Sequence, residues 1–208
     1  MGGTMTAEPV STSGDPQDAT PRWPVPPRQG YTVDDLFNLP DLPPHTELID
    51  GSLVFASPQR DFHSLAMYLL ESGLRRTAPD HLRVRREMAV VLSPGTVPEP
   101  DICVVKAEAE GDRRQTRYEA ADAVLAVEVV SPDSEERDRD TKPHKYARAG
   151  IPHFWRVEMS GDGERPVVYV YELDPTTMVY AVTGIHHDHL KVSVPFEVDI
   201  DLTEIDHL

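Results

Sequence analysis

The chain carries a single cysteine, no apolar run long enough to cross a bilayer, and few cations for its size. One cysteine excludes an intrachain disulfide, and the setting of Cys103 in Ile102-Cys103-Val104-Val105 reads as a small buried residue. The opening MGGTMTAEPVSTSGD lacks the charged-then-apolar pattern of a leader peptide. Together these absences point to a cytoplasmic protein with no membrane partner. Lys and Arg number 20 against 36 Asp and Glu, a formal net charge of -16. That balance disfavours unaided binding to a polyanion, which draws on phosphate neutralisation by cations. The cations are unevenly placed, however: most lie between Arg60 and Arg156, and only Arg165 and Lys191 follow.

What is present suffices for one domain. At 208 residues and 39% hydrophobic content the chain can bury a full core. Residues 1–30, rich in Pro, Thr, Ser and Gly, read as a disordered tail, leaving 31–208 as the domain. Thr32 caps a short helix bearing Val33, Leu36 and Phe37 on one face. Asp50-Gly51 between apolar runs signals a two-residue hairpin. From Phe62, the residues Leu65, Ala66, Leu69, Leu70 and Leu74 recur at helical spacing, predicting an amphipathic helix that ends near Pro79. Arg83–Leu92 reads as one strand, Ser93–Thr96 as a turn and Ile102–Val105 as a second strand. Residues 108–122 read as a polar connection, and Ala123–Val130 as a third strand. Thr141 is the expected N-cap of a short helix with Pro143 in its first turn and Gly150 past its end. His153–Glu158 and the alternating remainder read as further strands. The order predicts an α/β (α+β) domain, a mixed central sheet flanked by helices with extra C-terminal strands.

The chemistry lies in that third strand, AVLAVEVVSPDS, where Glu128 interrupts an apolar run. A buried carboxylate is costly unless a cation or donor meets it. Asp101 opens the preceding strand, and antiparallel pairing of the two would bring both carboxylates to within about 5 Å. Such a pair repels unless a cation lies between, and magnesium, which takes one or two carboxylates plus waters and phosphate, suits it. Lys142, in the expected first helical turn, could face a phosphate together with exposed helix N–H groups. Each residue also admits a plainer reading. Asp101 also reads as part of a common Pro-Asp pair, Lys142 as a solvent-exposed helix start, and Glu128 as the partner of an arginine such as Arg85. His63 could approach the site or sit as a surface or capping residue. His186-His187-Asp188-His189 reads as a solvated turn rather than a metal cluster.

Taken as an ordered set, Glu47-Leu48-Ile49-Asp50-Gly51, Pro100-Asp101, Glu128-Val129-Val130-Ser131-Pro132, Lys142, Tyr146–Pro152 and Phe154-Trp155 resemble the Uma-type putative restriction endonuclease family. That family belongs to the PD-(D/E)xK nuclease superfamily. The resemblance spans roughly residues 31–175 and implies a restriction-endonuclease-like core and a metal-dependent phosphodiesterase acting on nucleic acid, DNA foremost. It implies Asp101 and Glu128 as ligands of Mg2+ (or Mn2+), and Glu47 as a further acidic member of the site. The superfamily's lysine position two residues after Glu128 is Val130 here, so the resemblance passes the lysine role to Lys142. The catalytic set is then Glu47, Asp101, Glu128 and Lys142. Cutting both strands of a duplex would suit a homodimer, with Tyr169, Tyr171 and Tyr180 available for an interface or for ordinary sheet packing. The alternative is a catalytically silent nuclease-fold module that binds nucleic acid or protein.

Overall fold

The computed structural model describes residues 26–161 and 163–208. The expected tail, 1–30, lies outside the described residues as far as residue 25; of its remainder, Pro27 and Gly30 close a turn.

Around Glu128, the strand β7 (Ala123–Val129) sits inside a six-stranded mixed sheet. Its antiparallel neighbour is β5 (Ile102–Lys106), which in turn pairs with β3 (Leu82–Arg86) at the sheet edge. On the other side β7 runs parallel to β8 (His153–Met159), reached through the helix α3 (Lys142–Arg148). The antiparallel strands β9 (Pro166–Asp174) and β10 (Val179–His186) complete the sheet. A parallel connection needs such a crossover helix, which covers one face of the strands it joins. The opposite face is covered by α2 (Asp61–Thr77) and by the hairpin of β11 (His189–Val192) and β12 (Val198–Asp201).

Strand alternation decides where Glu128 points. Leu125, Val127 and Val129 join the core shared with α2, so Ala126 and Glu128 face the other way, toward α3. Each buried aliphatic side chain contributes about 1.5–3 kcal/mol, and a one-residue slip would expose all three to the wrong face. The register that turns Glu128 toward α3 is therefore fixed by its apolar neighbours.

The predicted helix after Thr32 is α1 (Val33–Asn38), with Thr32 and Asp35 forming a capping box. The predicted hairpin joins β1 (Glu47–Ile49) to β2 (Ser52–Val54) through Asp50 and Gly51, both at positive φ. Gly51 must be glycine for a second reason: its backbone packs on Gly30, and Tyr31 donates an N–H to its carbonyl. Leu48 exchanges both backbone hydrogen bonds with Val97, tying the hairpin to the 93–96 turn.

Two expectations need correction. The strand read as Arg83–Leu92 is two strands. Glu87 adopts φ 50° and donates its N–H to Asp101, so the chain leaves the sheet, and β4 (Ala89–Val91) pairs in parallel with β6 (Arg117–Glu119). That β6 lies within the segment read as a polar connection; three residues with only Tyr118 buried give too short a pattern to recognise.

Helix α2 packs on β12 at Gly73, where an added Cβ would lie 2.3 Å from Cδ1 and 2.4 Å from Cγ1 of the buried Ile200. Alanine there gains helix propensity of about 1 kcal/mol but incurs overpacking of about 1–3 kcal/mol. Thermal denaturation of Gly73→Ala should show a lowered midpoint, and the loss should be smaller when Gly73→Ala is made in an Ile200→Ala background, where both overlapping side-chain atoms are gone.

Candidate functional site

Ile102 pairs with Val127, so the next antiparallel position sets Asp101 beside Glu128, as the sequence suggested. Asp101 stands at the strand end, where its Oδ2 accepts the Val129 N–H at 2.6 Å and its Oδ1 lies 3.1 Å from His63 Nε2. His63, 3% exposed, arrives from the first turn of α2 on the opposite face, and its Nδ1 has no partner among the described residues. The surface and capping readings of His63 are thereby set aside.

Glu128 is 2% exposed and both of its oxygens are held from α3. Lys142 Nζ lies 3.1 Å from Oε2, and the Tyr146 hydroxyl donates to Oε1 at 2.5 Å. Lys142 also meets Glu47 Oε1 at 2.9 Å and Asp138 Oδ1 at 3.4 Å. Glu47 is buried, accepting the Glu99 N–H at 2.8 Å, so its hairpin strand does not turn it to solvent. The structure thus gathers Glu47, Asp101, Glu128 and Lys142 in one place. Arg85 is elsewhere, bonded to Glu110 and Tyr118, and is not the partner of Glu128.

How Lys142 arrives differs from expectation. Thr141 has helical dihedrals and makes no side-chain cap, because the chain is already helical through a π-helical turn, Arg137–Thr141. The Lys142 N–H bonds to the Arg137 carbonyl, so no free helix N–H accompanies its ammonium. The wide turn sets Asp138 four residues before Lys142 on the same face, which brings a further carboxylate to the ammonium. Asp138 is not among the residues expected at the site, and Tyr146 enters only through the family resemblance, with no role at the site. Asp138 lay hidden in the charged run 133–140, while Tyr146 lay on the helix face shared with Lys142, a spacing of four that carries the signal.

The electrostatics follow from burial. Burial pushes the Glu128 carboxyl well above the usual range, against the pull of Lys142, and Asp138, Asp101 and Glu47 push it further. Burial likewise raises Asp138, against Lys142. For Lys142 burial opposes the charge, but the carboxylates of Glu128, Glu47 and Asp138 overcome it and hold the ammonium well above its ordinary value. Lys142 is therefore a hydrogen-bond donor and a fixed positive charge, not a base at neutral pH. Burial also raises the Tyr146 phenol, which keeps its proton to donate to Glu128. At the cleft mouth, Glu99 bonds His45 at 2.5 Å; burial raises the acid and the hydrogen bond raises the imidazole.

All of these residues except Tyr146 line a cleft of about 280 Å³ with seven acidic side chains and, among its lining residues, Lys142 and Arg137 as permanent cations. Among the described residues no three His, Cys, Asp or Glu side chains form a ready-made metal-ligand group. The donor chemistry nonetheless fits magnesium, which asks for one or two carboxylates and completes its shell with water and phosphate. Asp101 and Glu128 each keep a lone pair on oxygens already hydrogen-bonded. His186 ends β10 and His189 begins β11, with His187 and Asp188 forming the bend between them and His189 bonded to Asp199. Tyr171 and Tyr180 pack on Phe154, and Tyr169 lies beneath Arg156, so all three serve the sheet and its surface.

A six-stranded mixed sheet with a crossover helix between its parallel strands defines a mixed α/β class. A solved protein of Anabaena variabilis ATCC 29413, described as a putative nuclease belonging to DUF820, shares the fold. The match has TM-score 0.64 and 17% identity and covers 84% of this chain and 96% of that one. No curated protein matches the chain. Residues 33–203 match the family Uma2, described as "Putative restriction endonuclease", and the chain belongs to that family. The expected nuclease-like fold and the family resemblance are both borne out. No helix among the described residues is long and apolar enough to cross a membrane.

Removing the ammonium alone should leave three buried carboxyl groups uncompensated. Lys142→Met is expected to lose about 3–5 kcal/mol near neutral pH. Glu128 and Asp138 are raised, so the folded state holds protons that the unfolded chain releases. Their contribution is therefore fully present below the unfolded carboxyl pKa of about 4 and is lost as pH rises through the folded value. Denaturant unfolding followed from about pH 8 to about pH 5 should accordingly show the deficit of Lys142→Met shrinking as pH falls.

Proposed function

We propose that the protein is a metal-dependent endonuclease that hydrolyses phosphodiester bonds of nucleic acid, DNA foremost, in the cytoplasm. The observation that carries this reading is the convergence of Asp101, Glu128, Glu47 and Lys142 in one strongly acidic cleft. A phosphate cannot approach such an excess of carboxylates without a cation, and a net charge of -16 makes the need general. Asp101 and Glu128 would hold Mg2+ or Mn2+. When bound, the ion supplies charge neutralisation at the phosphate and acidifies a water.

The chain's own residues do the rest. The Val129 N–H fixes one Asp101 oxygen and His63 the other, so the carboxylate is oriented before substrate arrives. Tyr146 and Lys142 fix Glu128 in the same way. Lys142, held protonated, donates to a water or to a phosphate oxygen and offsets the charge that develops there. Glu47 keeps the ammonium turned toward the cleft. Self-association as a two-fold dimer belongs to the same reading, because a duplex presents two strands to cut.

One observation favours the silent-module alternative: both Glu128 oxygens are already occupied by Lys142 and Tyr146, with Val130 standing where the superfamily places its lysine. A single experiment separates the two. Manganese titration by calorimetry on the wild type and Asp101→Ala, each then incubated with plasmid DNA, should give binding and nicking in the wild type and neither in the variant. Lys142→Met, if folded, should lose cleavage by about a hundredfold or more. Metal binding without nicking would support the silent module, and no binding would end the metal reading. Size-exclusion chromatography giving a monomer at micromolar concentration would remove the dimer.

A further inference from the structure

Most described Lys and Arg side chains of this acidic protein are answered by a carboxylate, as Arg139 is by Glu135 and Glu158 and Arg165 by Asp206. Arg137 is different. It lines the acidic cleft, half-buried, yet makes no ion pair with any described residue, and its Nε is buried without a partner. Leaving a buried guanidinium donor unmatched is costly, and such a group calls for a ligand. Lys142, the cleft's other cation, is already engaged by three carboxylates. A phosphate entering the cleft therefore finds one permanent cation without a carboxylate partner among the described residues, and a guanidinium fork suits phosphate geometry.

A second uncommitted arginine extends the pattern. An adjoining cleft of about 210 Å³ shares His63 and Ser131 with the first, and Arg60 lines it. Arg60 is exposed, has no ion pair among the described residues, and precedes the first turn of the 17-residue α2, which carries no side-chain cap. The positive end of that helix dipole adds to its charge. Of the remaining charged residues there, Arg139 pairs with both Glu135 and Glu158, and Glu158 is also met by Arg156 from outside the cleft.

We propose that a nucleic-acid strand lies along the two joined clefts, with its phosphates contacted by Arg137 beside the carboxylate cluster and by Arg60 beyond the His63–Ser131 passage. This inference rests on the nuclease reading and gives its substrate a direction across the site. It makes Arg137 and Arg60 contacts to the backbone, indifferent to base sequence.

Fluorescence anisotropy of dye-labelled duplex and single-stranded oligonucleotides, with calcium as the divalent ion and salt varied, tests it. Arg137→Ala and Arg60→Ala should each flatten the dependence of log affinity on log salt by about 0.9 for duplex or about 0.7 for single strand. Arg137→Lys should restore the slope but not the full affinity, because lysine keeps the charge and lacks the fork. Lys106→Ala is the control, since Lys106 is exposed at the end of β5 away from Asp101 and is also without an ion pair among the described residues. Unchanged slopes in both arginine variants, or an equal loss in Lys106→Ala, would overturn the path. If the wild type cleaves while the arginine variants keep its slope, the path alone falls. If the wild type neither binds nor cleaves nucleic acid, the path and the nuclease reading fall together.

Discussion

A single ammonium surrounded by three buried carboxyl groups is the constraint on which the site depends. Lys142 cannot be where it is without Glu47, Glu128 and Asp138, and they cannot be buried without it. Burying a lone charge is far costlier than burying a compensated set, so the four groups stand or fall together. Each comes from a different part of the fold: a hairpin strand, the central strand β7, a π-helical turn and the crossover helix α3. Packing of those elements on the common sheet is what brings the charges together. Their mutual compensation in turn penalises any arrangement that leaves one out.

The same arrangement accounts for a carboxylate in the middle of an apolar strand. β7 is apolar on the α2 side, where Leu125, Val127 and Val129 pack, and it is amphipathic only at one position of its other side. At that position α3 presents Tyr146 and Lys142 on a single helix face. The sheet supplies the rigid frame and the helix supplies the donors. Asp101, less buried and anchored by a backbone N–H and His63, can answer a ligand more readily than Glu128 can.

Much of this was legible in the sequence. The Asp50-Gly51 turn, the 3.6-residue periodicity of α2 and the anomalous Glu128 all carry local signals, and they read correctly. The acid pair followed from assuming two neighbouring strands antiparallel, which they are. The errors lie where backbone conformation departs from regularity without a Gly or Pro to announce it. Glu87 breaks a strand at positive φ with a side chain that ordinarily avoids it, and its N–H bond to the Asp101 carbonyl holds it there. The π turn from Arg137 buries Asp138 in the core of the site, although it lies within the charged run Asp133–Asp140. Long-range compensation is invisible to local pattern: nothing near Asp138 in sequence says that Glu47 and Glu128 lie across from it.

The connection between β7 and α3 also sets an order on neutralisation. The partners of Glu128 follow it by only 14 and 18 residues, whereas Glu47 precedes Lys142 by most of a hundred. Loop-closure entropy grows with separation, so the β7–α3 unit can answer its own buried acid before the distant hairpin docks. Residues that would otherwise frustrate collapse of the central strand are thus matched within one supersecondary unit, and the later arrival of Glu47 adds a charge to a pocket already holding its counter-ion.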